Sequence, residues 1–346
     1  MKVLHLPTNI ASQMSVTVRA LRAEGIDARG LSGGSLVQDG SGIELLPLQG
    51  GPWPRRLWSA LRRCVRIFRA VAWADVVHWH YGPGLPGALD LKLARLLGRK
   101  RFVEFWGSDI RNPEIESAGN RWYAEAFADP DFECRAESAE NSRRVQRTFA
   151  RAGARALIPS PGMAEYFLGG CFAVHERTAQ RVCLEDYPPV YPEARAVRPL
   201  LVHAPTAPVT KGSRYILAAV EKLRERFDFD FKLITGMPQA AVREWISRCD
   251  VFIDQVVAGE YGLAAVEAMA LGKPVVCFIK PSLTGAYAPG LPVVNAAPDT
   301  VEQVLAELLA DGPRRRRTGE LSRAWVEAHH DARKIARQLI GIYQAA

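Results

Sequence analysis

Long hydrophobic runs are missing from this 346-residue chain. Without about 20 consecutive apolar residues it has no candidate membrane-spanning helix. Met1-Lys2 leads into an apolar strand and not into a secretory leader, so a cytoplasmic protein is expected. Cysteine is sparse: six residues (64, 134, 171, 183, 249 and 277), with no C-x-x-C pair and no zinc spacing. They read as reduced, mostly buried thiols and not as a disulfide framework or a metal centre. Acid is short relative to base, and the net charge of +8 suits phosphate-bearing ligands or an anionic membrane surface. No recognition motif accompanies that charge, which sets nucleic acid aside. No internal repeat occurs, and the first strand lacks a following G-x-G-x-x-G, against a dehydrogenase.

What is present is a steady alternation of apolar strands and amphipathic helices, the pattern of an α/β protein with parallel sheets. Val3–Leu6, Val76–His80, Arg101–Phe105 and Ala156–Pro159 read as strands of a first half. Ser15–Glu24, Arg55–Ala72, Leu89–Leu97 and Gly162–Phe167 read as its helices. Residues 186–199, DYPPVYPEARAVRP, are proline-rich and aperiodic, and read as a linker. The alternation then restarts with strands at Leu200–His203, Phe231–Thr235, Val251–Ile253 and 275–279, and helices at Ser213–Arg226, Gln239–Cys249 and 263–270. The expected division is 1–188, a linker 189–199, 200–331, and a final helix in 332–346.

Asp254 to Val276, DQVVAGEYGLAAVEAMALGKPVV, concentrates the chemistry. A glycine-containing turn (Gly259, Gly262) opens a helix, and a helix start offers unpaired N–H groups and partial positive charge to an anion. One turn inside sits Glu267, a carboxylate among apolar neighbours. Diphosphate on the backbone and ribose hydroxyls on Glu267 would describe a nucleotide.

This stretch resembles the donor-site signature of retaining glycosyltransferases of the GT-B fold, specifically glycosyltransferase family 4. The match rests on Glu267 and the Ala-Met-Ala-Leu-Gly-Lys-Pro tail. The resemblance implies two Rossmann-like domains facing each other across a cleft, with the acceptor on the first and the nucleotide donor on the second. It also implies that the last helix crosses back to the first domain. The family's first Glu lies eight residues before the second; here that place is Gly259, and Glu260 stands one later. Lys211-Gly212 matches the family's phosphate-binding loop, whose Arg partner is replaced by Thr206, with Pro208 at an alternative Arg position. Lys280 or Arg214 is the expected substitute cation.

By the same resemblance Lys211, Gly212, Gly236, Met237, Gly262, Leu263, Ala264 and Glu267 hold the donor nucleotide. Asp254 reaches the donor or caps the turn. Phe105-Trp106-Gly107-Ser108-Asp109-Ile110-Arg111 is similar to a family segment in which His stands where Trp106 is. Trp106 and Arg111, with Thr8 and Asn9 after the first strand, are the acceptor-side candidates. Asp109 and Arg111 hold an acceptor or each other. Asp109, Glu260 and His80 are the catalytic candidates. In His78-Trp79-His80 the two histidines share a strand face; one is expected in the core and the other on the cleft, with no metal.

Residues 53–72, WPRRLWSALRRCVRIFRAVA, hold six arginines and no acid. The stripe Trp58, Leu61, Val65, Phe68 and Ala72 is expected to pack on the sheet, with contact to an anionic membrane as the alternative. The function implied is transfer of a sugar from a nucleotide-diphosphate donor to a small-molecule, glycan or lipid-linked acceptor, hexosyltransferase-like and with retention. No tightly bound cofactor and no metal is expected. Localisation is cytoplasmic, with peripheral attachment to the inner membrane face as an option. Two alternatives stay open: the same fold with an atypical nucleotide donor or non-sugar group in a tailoring pathway, and a non-catalytic partner subunit.

Overall fold

Short apolar strands alternate with amphipathic helices along most of the chain, so successive strands return in the same direction, and among the described residues all strand pairs are parallel. The computed structural model describes residues 1–34, 40–46 and 50–346. The chain forms two compact units: Met1–Arg111 with Glu137–Cys183 and Ala332–Ala346, and Asn112–Ala136 with Leu184–Asp331.

The first unit is built on a seven-stranded sheet ordered β3-β2-β1-β4-β5-β6-β7. Its strands are β1 (Lys2–Pro7), β2 (Asp27–Ser32), β3 (Glu44–Leu45), β4 (Val76–His80), β5 (Lys100–Glu104), β6 (Arg155–Ile158) and β7 (His175–Arg177). Its helices are α1 (Gln13–Ala23), α2 (Trp53–Trp73), α3 (Leu89–Leu96), α6 (Ala139–Arg151), α7 (Pro161–Glu165) and α14 (Ala332–Gln344). Strand alternation divides the core. Leu4, Leu6, Val77 and Val103 meet α2, α3 and α6 on one face. Val3, Val76 and Phe102 meet α1 and α14 on the other.

The second unit has five strands in the order β12-β11-β10-β8-β9. These are β8 (Leu200–His203), β9 (Asp230–Leu233), β10 (Val251–Ile253), β11 (Val275–Cys277) and β12 (Val294–Asn295). Its helices are α4 (Pro113–Gly119), α5 (Arg121–Ala128), α8 (Pro208–Lys211), α9 (Ser213–Leu223), α10 (Gln239–Arg248), α11 (Leu263–Ala270), α12 (Val301–Ala310) and α13 (Gly312–His329). Leu201, Val251, Ile253 and Val276 pack against α9, α12 and, from the early part of the chain, Tyr123 and Ala126 of α5.

Three features depart from the sequence reading. Residues 112–136, placed in the first domain by their position in the chain, belong to the second unit because α5 supplies part of its core. The proline-rich 186–199 stretch is part of that unit too: Val190 N–H donates to Leu271 O at 2.9 Å and Tyr187 bonds Glu267. The third departure is in α2, which packs through Cys64, Ile67, Phe68 and Val71. That rotates Trp58, Leu61 and Val65 of the expected stripe into solvent.

Candidate functional site

In the second unit the residues of the 254–276 stretch meet at the carboxyl ends of β8 and β10, where ligands gather in open parallel sheets. Lys211 ends α8, and Gly212 follows in the left-handed region at φ +78°. A Cβ on Gly212 would come within 2.6 Å of Val257 Cγ2, so the loop is tight enough only for glycine. Asp254, at the end of β10, is fully buried and joins loop to signature. It accepts Lys211 Nζ at 2.8 Å on Oδ1 and the N–H of Gly262, which caps α11, at 2.8 Å on Oδ2. Of its two expected roles, the structure shows the cap.

Glu267 lies one turn inside α11. Its Oε1 accepts the Tyr187 hydroxyl at 2.7 Å and Gln239 Nε2 at 2.8 Å. The Arg243 guanidinium stacks over the Tyr187 ring, 4.6 Å from its centre. Burial pushes the Glu267 carboxyl above its ordinary range, opposed by these two hydrogen bonds and by Arg243 and Lys211. Tyr187, Gln239 and Arg243 escaped the sequence reading; the only signal was an aromatic residue inside an apparent linker. Leu263 and Ala264 stand half-buried on the first turn of α11, and Gly236 and Met237 lie exposed after β9.

The head of the signature departs from the family pattern for a packing reason. Gly259 has φ +73°, and a Cβ there would meet Lys280 Cδ at 3.0 Å and Asn120 Nδ2 at 3.2 Å. Glu260 turns elsewhere, accepting the Tyr287 hydroxyl at 2.9 Å. It stands as a hydrogen-bonded acid beside the Tyr261–Tyr287 stack and not as a free catalytic carboxylate. The expected substitute cations are also engaged. Lys280 is buried against Glu116 at 2.5 Å, and Arg214 lies on the surface within 4 Å of Glu125 and Asp129. Where the family has its Arg, Thr206 and Pro208 are exposed, and Glu133 caps α8 by accepting the N–H groups of Val209 and Thr210 at 2.8 and 3.2 Å.

In the first unit, His78 and His80 are both fully buried, so neither meets the expectation of a solvent-facing histidine. Register places His5 beside His78 and His80 beside Glu104 on one sheet face, and the three imidazoles have nitrogens within 4.8 Å of one another. The hydrogen bonds fix the tautomers of His80 and His5. Trp106 Nε1–H donates to His80 Nδ1 at 3.1 Å, so His80 Nε2 carries the proton donated to His5 Nδ1 at 2.9 Å. Tyr343 of α14 lies 2.6 Å from His78 Nδ1, and His78 Nε2 faces Glu104 at 3.3 Å. Burial drives all three imidazoles below the ordinary histidine range and into the neutral form. Burial alone would push Glu104 up, but the Arg181 guanidinium at 2.5 Å, joined by His78 and His80, holds it well below the carboxylate range.

Trp106 stacks on His80 (5.9 Å between ring centres, 16° between planes), with Arg181 over its ring at 5.2 Å. Asp109 and Arg111 do not pair with each other. Asp109 is buried and accepts the N–H groups of Trp106, Gly107 and Ile110. Burial pushes its carboxyl up to about 6 against those bonds. With its oxygens consumed by backbone, Asp109 shapes the turn and is not presented as a catalytic group. Arg111 bonds Glu137 at 2.5 Å and Ser108 bonds it at 2.6 Å, tying the point where the chain leaves the first unit to the point where it returns. Asn9 is likewise structural, its Oδ1 accepting Ser15 N–H at 3.1 Å, while Thr8 beside it is half-buried.

Residues 230–325 match the family Glycosyl transferases group 1. No curated protein sequence matches the chain. Its structure is similar to sucrose-phosphate synthase from Thermosynechococcus elongatus (TM-score 0.67, 15% identity, covering 100% of this chain and 99% of that one). It is also similar to Anabaena HepE in complex with UDP (0.62, 14%, 100% of both chains). A third similar structure is WaaG, a glycosyltransferase involved in lipopolysaccharide biosynthesis (0.57, 14%, 100% of both chains). The chain thus has the two-unit, parallel-sheet GT-B fold, and the stretch of its second unit from β9 into α13 matches the Glycosyl transferases group 1 family.

Proposed function

We propose that the chain is a glycosyltransferase that takes a nucleoside-diphosphate sugar on its second unit. The carrying observation is the arrangement around α11: a buried carboxylate, Glu267, held by Tyr187 and Gln239 one turn inside a helix whose Gly262 cap N–H shares Asp254 with Lys211. Both bonds fall on Oε1, leaving Oε2 of Glu267 for ribose hydroxyls. Lys211 and the N–H groups around Gly262, Leu263 and Ala264 would take the diphosphate, with the loop at Gly236 and Met237 against the base. Catalysis would be electrostatic, the cation and helix start stabilising the departing diphosphate, with retention at the sugar. UDP is the first nucleotide to try, because HepE has been crystallised with UDP and with UDP-glucose. Calorimetry with UDP tests the reading: Glu267→Ala and Lys211→Ala should each abolish or strongly weaken binding, and unchanged affinity in both sinks it.

A peripheral membrane contact through α2 belongs to this proposal. Trp53 is 74%, Leu57 62% and Trp58 69% exposed, on a helix with six arginines and no acid. An exposed aromatic-aliphatic ridge flanked by cations suits the interface of an anionic bilayer. Vesicles containing phosphatidylglycerol should sediment the protein and pure phosphatidylcholine vesicles should not; Trp58→Asp with Leu61→Asp should abolish the difference. Equal sedimentation of wild type and variant removes α2 from the account.

A further inference from the structure

A groove of about 600 Å³ lies on the outer side of α3 and α6 in the first unit, on the sheet face opposite His5, His78 and His80. Its floor is apolar, formed by Leu85, Leu91 and Val145. Around it stand Lys92, Arg95, Arg144 and Arg151, and among the described residues no acidic one lines it. Among the described residues none of these four cations lies within salt-bridge distance of a carboxylate, whereas Arg66, Arg111 and Arg181 of the same unit are each paired. Arg95 Nη1 donates to the Arg151 carbonyl at 3.1 Å, fixing a cation across one end, and Arg144 Nη2 reaches only the neutral Asn141 Oδ1 at 2.7 Å. Next to the groove, Leu96 at the end of α3 is 81% exposed.

A bare phosphate would use the cations and leave the apolar floor wet; a neutral lipid would use the floor and leave four charges unanswered. An anionic amphiphile satisfies both requirements. We propose that the α3–α6 groove binds one anionic phospholipid, its acyl chain on the Leu85–Leu91–Val145 floor and its phosphate among Lys92, Arg95, Arg144 and Arg151. The site differs from the α2 surface in kind: α2 exposes an apolar ridge to a bilayer, and the groove is open-sided and sized for a single short-chain molecule.

Dihexanoyl-phosphatidylglycerol, used below its micelle concentration with the full chain, separates the two. Calorimetry and native mass spectrometry should show saturable binding of one molecule. Dihexanoyl-phosphatidylcholine should bind at least tenfold more weakly, and inorganic phosphate should not compete. Each cation near an anionic lipid is worth about a fivefold change in affinity, so Lys92→Glu with Arg144→Glu, both on exposed helix surface, should weaken binding roughly 25-fold or more. Thr148→Trp, which fills the groove without altering charge, should also abolish binding while leaving UDP affinity and melting temperature near wild type. Trp58→Asp with Leu61→Asp should leave short-chain binding intact even where vesicle sedimentation is lost. Equal binding of the two lipids, full competition by phosphate, or indifference to Thr148→Trp overturns the proposal, whatever happens to α2.

Discussion

Replacing Glu267 by Gln gives the sharpest test of the nucleotide site, because it removes a charge and keeps the shape. Glu267 accepts Tyr187 and Gln239 on one oxygen, and a glutamine can present its carbonyl oxygen to the same donors. The fold should therefore move by no more than about 1 kcal/mol, since relief of a buried charge offsets weaker hydrogen bonds. Ribose binding should suffer more. A hydrogen bond to a charged acceptor is worth about 1.5–3 kcal/mol, so losing that charge should weaken UDP roughly 10- to 150-fold in calorimetry. The control is 2′,3′-dideoxy-UDP, which has no ribose hydroxyls to offer: it should bind wild type and Glu267→Gln alike. Acid provides a second readout. Burial raises this carboxyl, and only its ionised form accepts two hydroxyls, so wild-type affinity should fall on acidification from a higher pH than an ordinary glutamate, while the variant stays flat. If Glu267→Gln weakens dideoxy-UDP as much as UDP, the residue does not hold the ribose.

Asp254→Asn should tighten UDP by about fivefold or more in the same calorimetry, because the carboxylate that now neutralises Lys211 at 2.8 Å also opposes a diphosphate there. Gly259→Glu, which restores the family's acid, should lower unfolding free energy in urea by more than about 1 kcal/mol, given φ +73° and the contacts of its Cβ with Lys280 and Asn120. Trp106→Phe leaves the buried His80 Nδ1 without its donor at 3.1 Å and should cost about 1–3 kcal/mol by the same measurement. His5, His78 and His80 have depressed values in the fold, so the unfolded chain binds more protons below about 6.5. Their contribution to stability is fully present above that pH and is lost as pH falls, by up to about 1.4 kcal/mol per pH unit for each group. Urea midpoints that do not change between pH 8 and 5 would contradict the neutral cluster.

Local patterns carried the sequence reading as far as they reached. The strand Leu200–His203 and the helix over 263–270 stand where apolar runs and flanking glycines put them. The edge strands β3 and β7 were not legible: they are two and three residues long, mostly exposed, and gain their strand character from a neighbour already in place. Membership of α5 in the second unit was hidden for the same kind of reason. Its sequence shows an amphipathic helix but not which sheet receives it. The α2 stripe misled because the helix offers two apolar stripes, and periodicity alone does not choose between Trp58–Leu61–Val65 and Cys64–Ile67–Val71. At the proposed site, Glu267 and Lys211 stand out because they match the pattern that the chain resembles. Tyr187 against Glu267 and Glu104 beneath His78 depend on contacts between residues 80 apart in the chain or on adjacent strands.

The departures from the donor-site pattern share one physical logic. Three positive elements near the signature already have an acid of the chain: Lys211 has Asp254, Lys280 has Glu116, and the start of α8 has Glu133. With these pairs in place, a diphosphate bound there as proposed would gain only what it wins in exchange for an internal carboxylate. Of the three acids, Asp254 is the one whose oxygens contact both the lysine and the N–H of the α11 cap. Its displacement releases both anion-binding elements together, whereas Glu116 is locked on a buried lysine and Glu133 on backbone. Under the proposed function the exchange at Asp254 would set how strongly a diphosphate is held, and the closed packing at Gly259 would leave recognition of the transferred group to the surroundings of Glu260, Tyr261 and Tyr287.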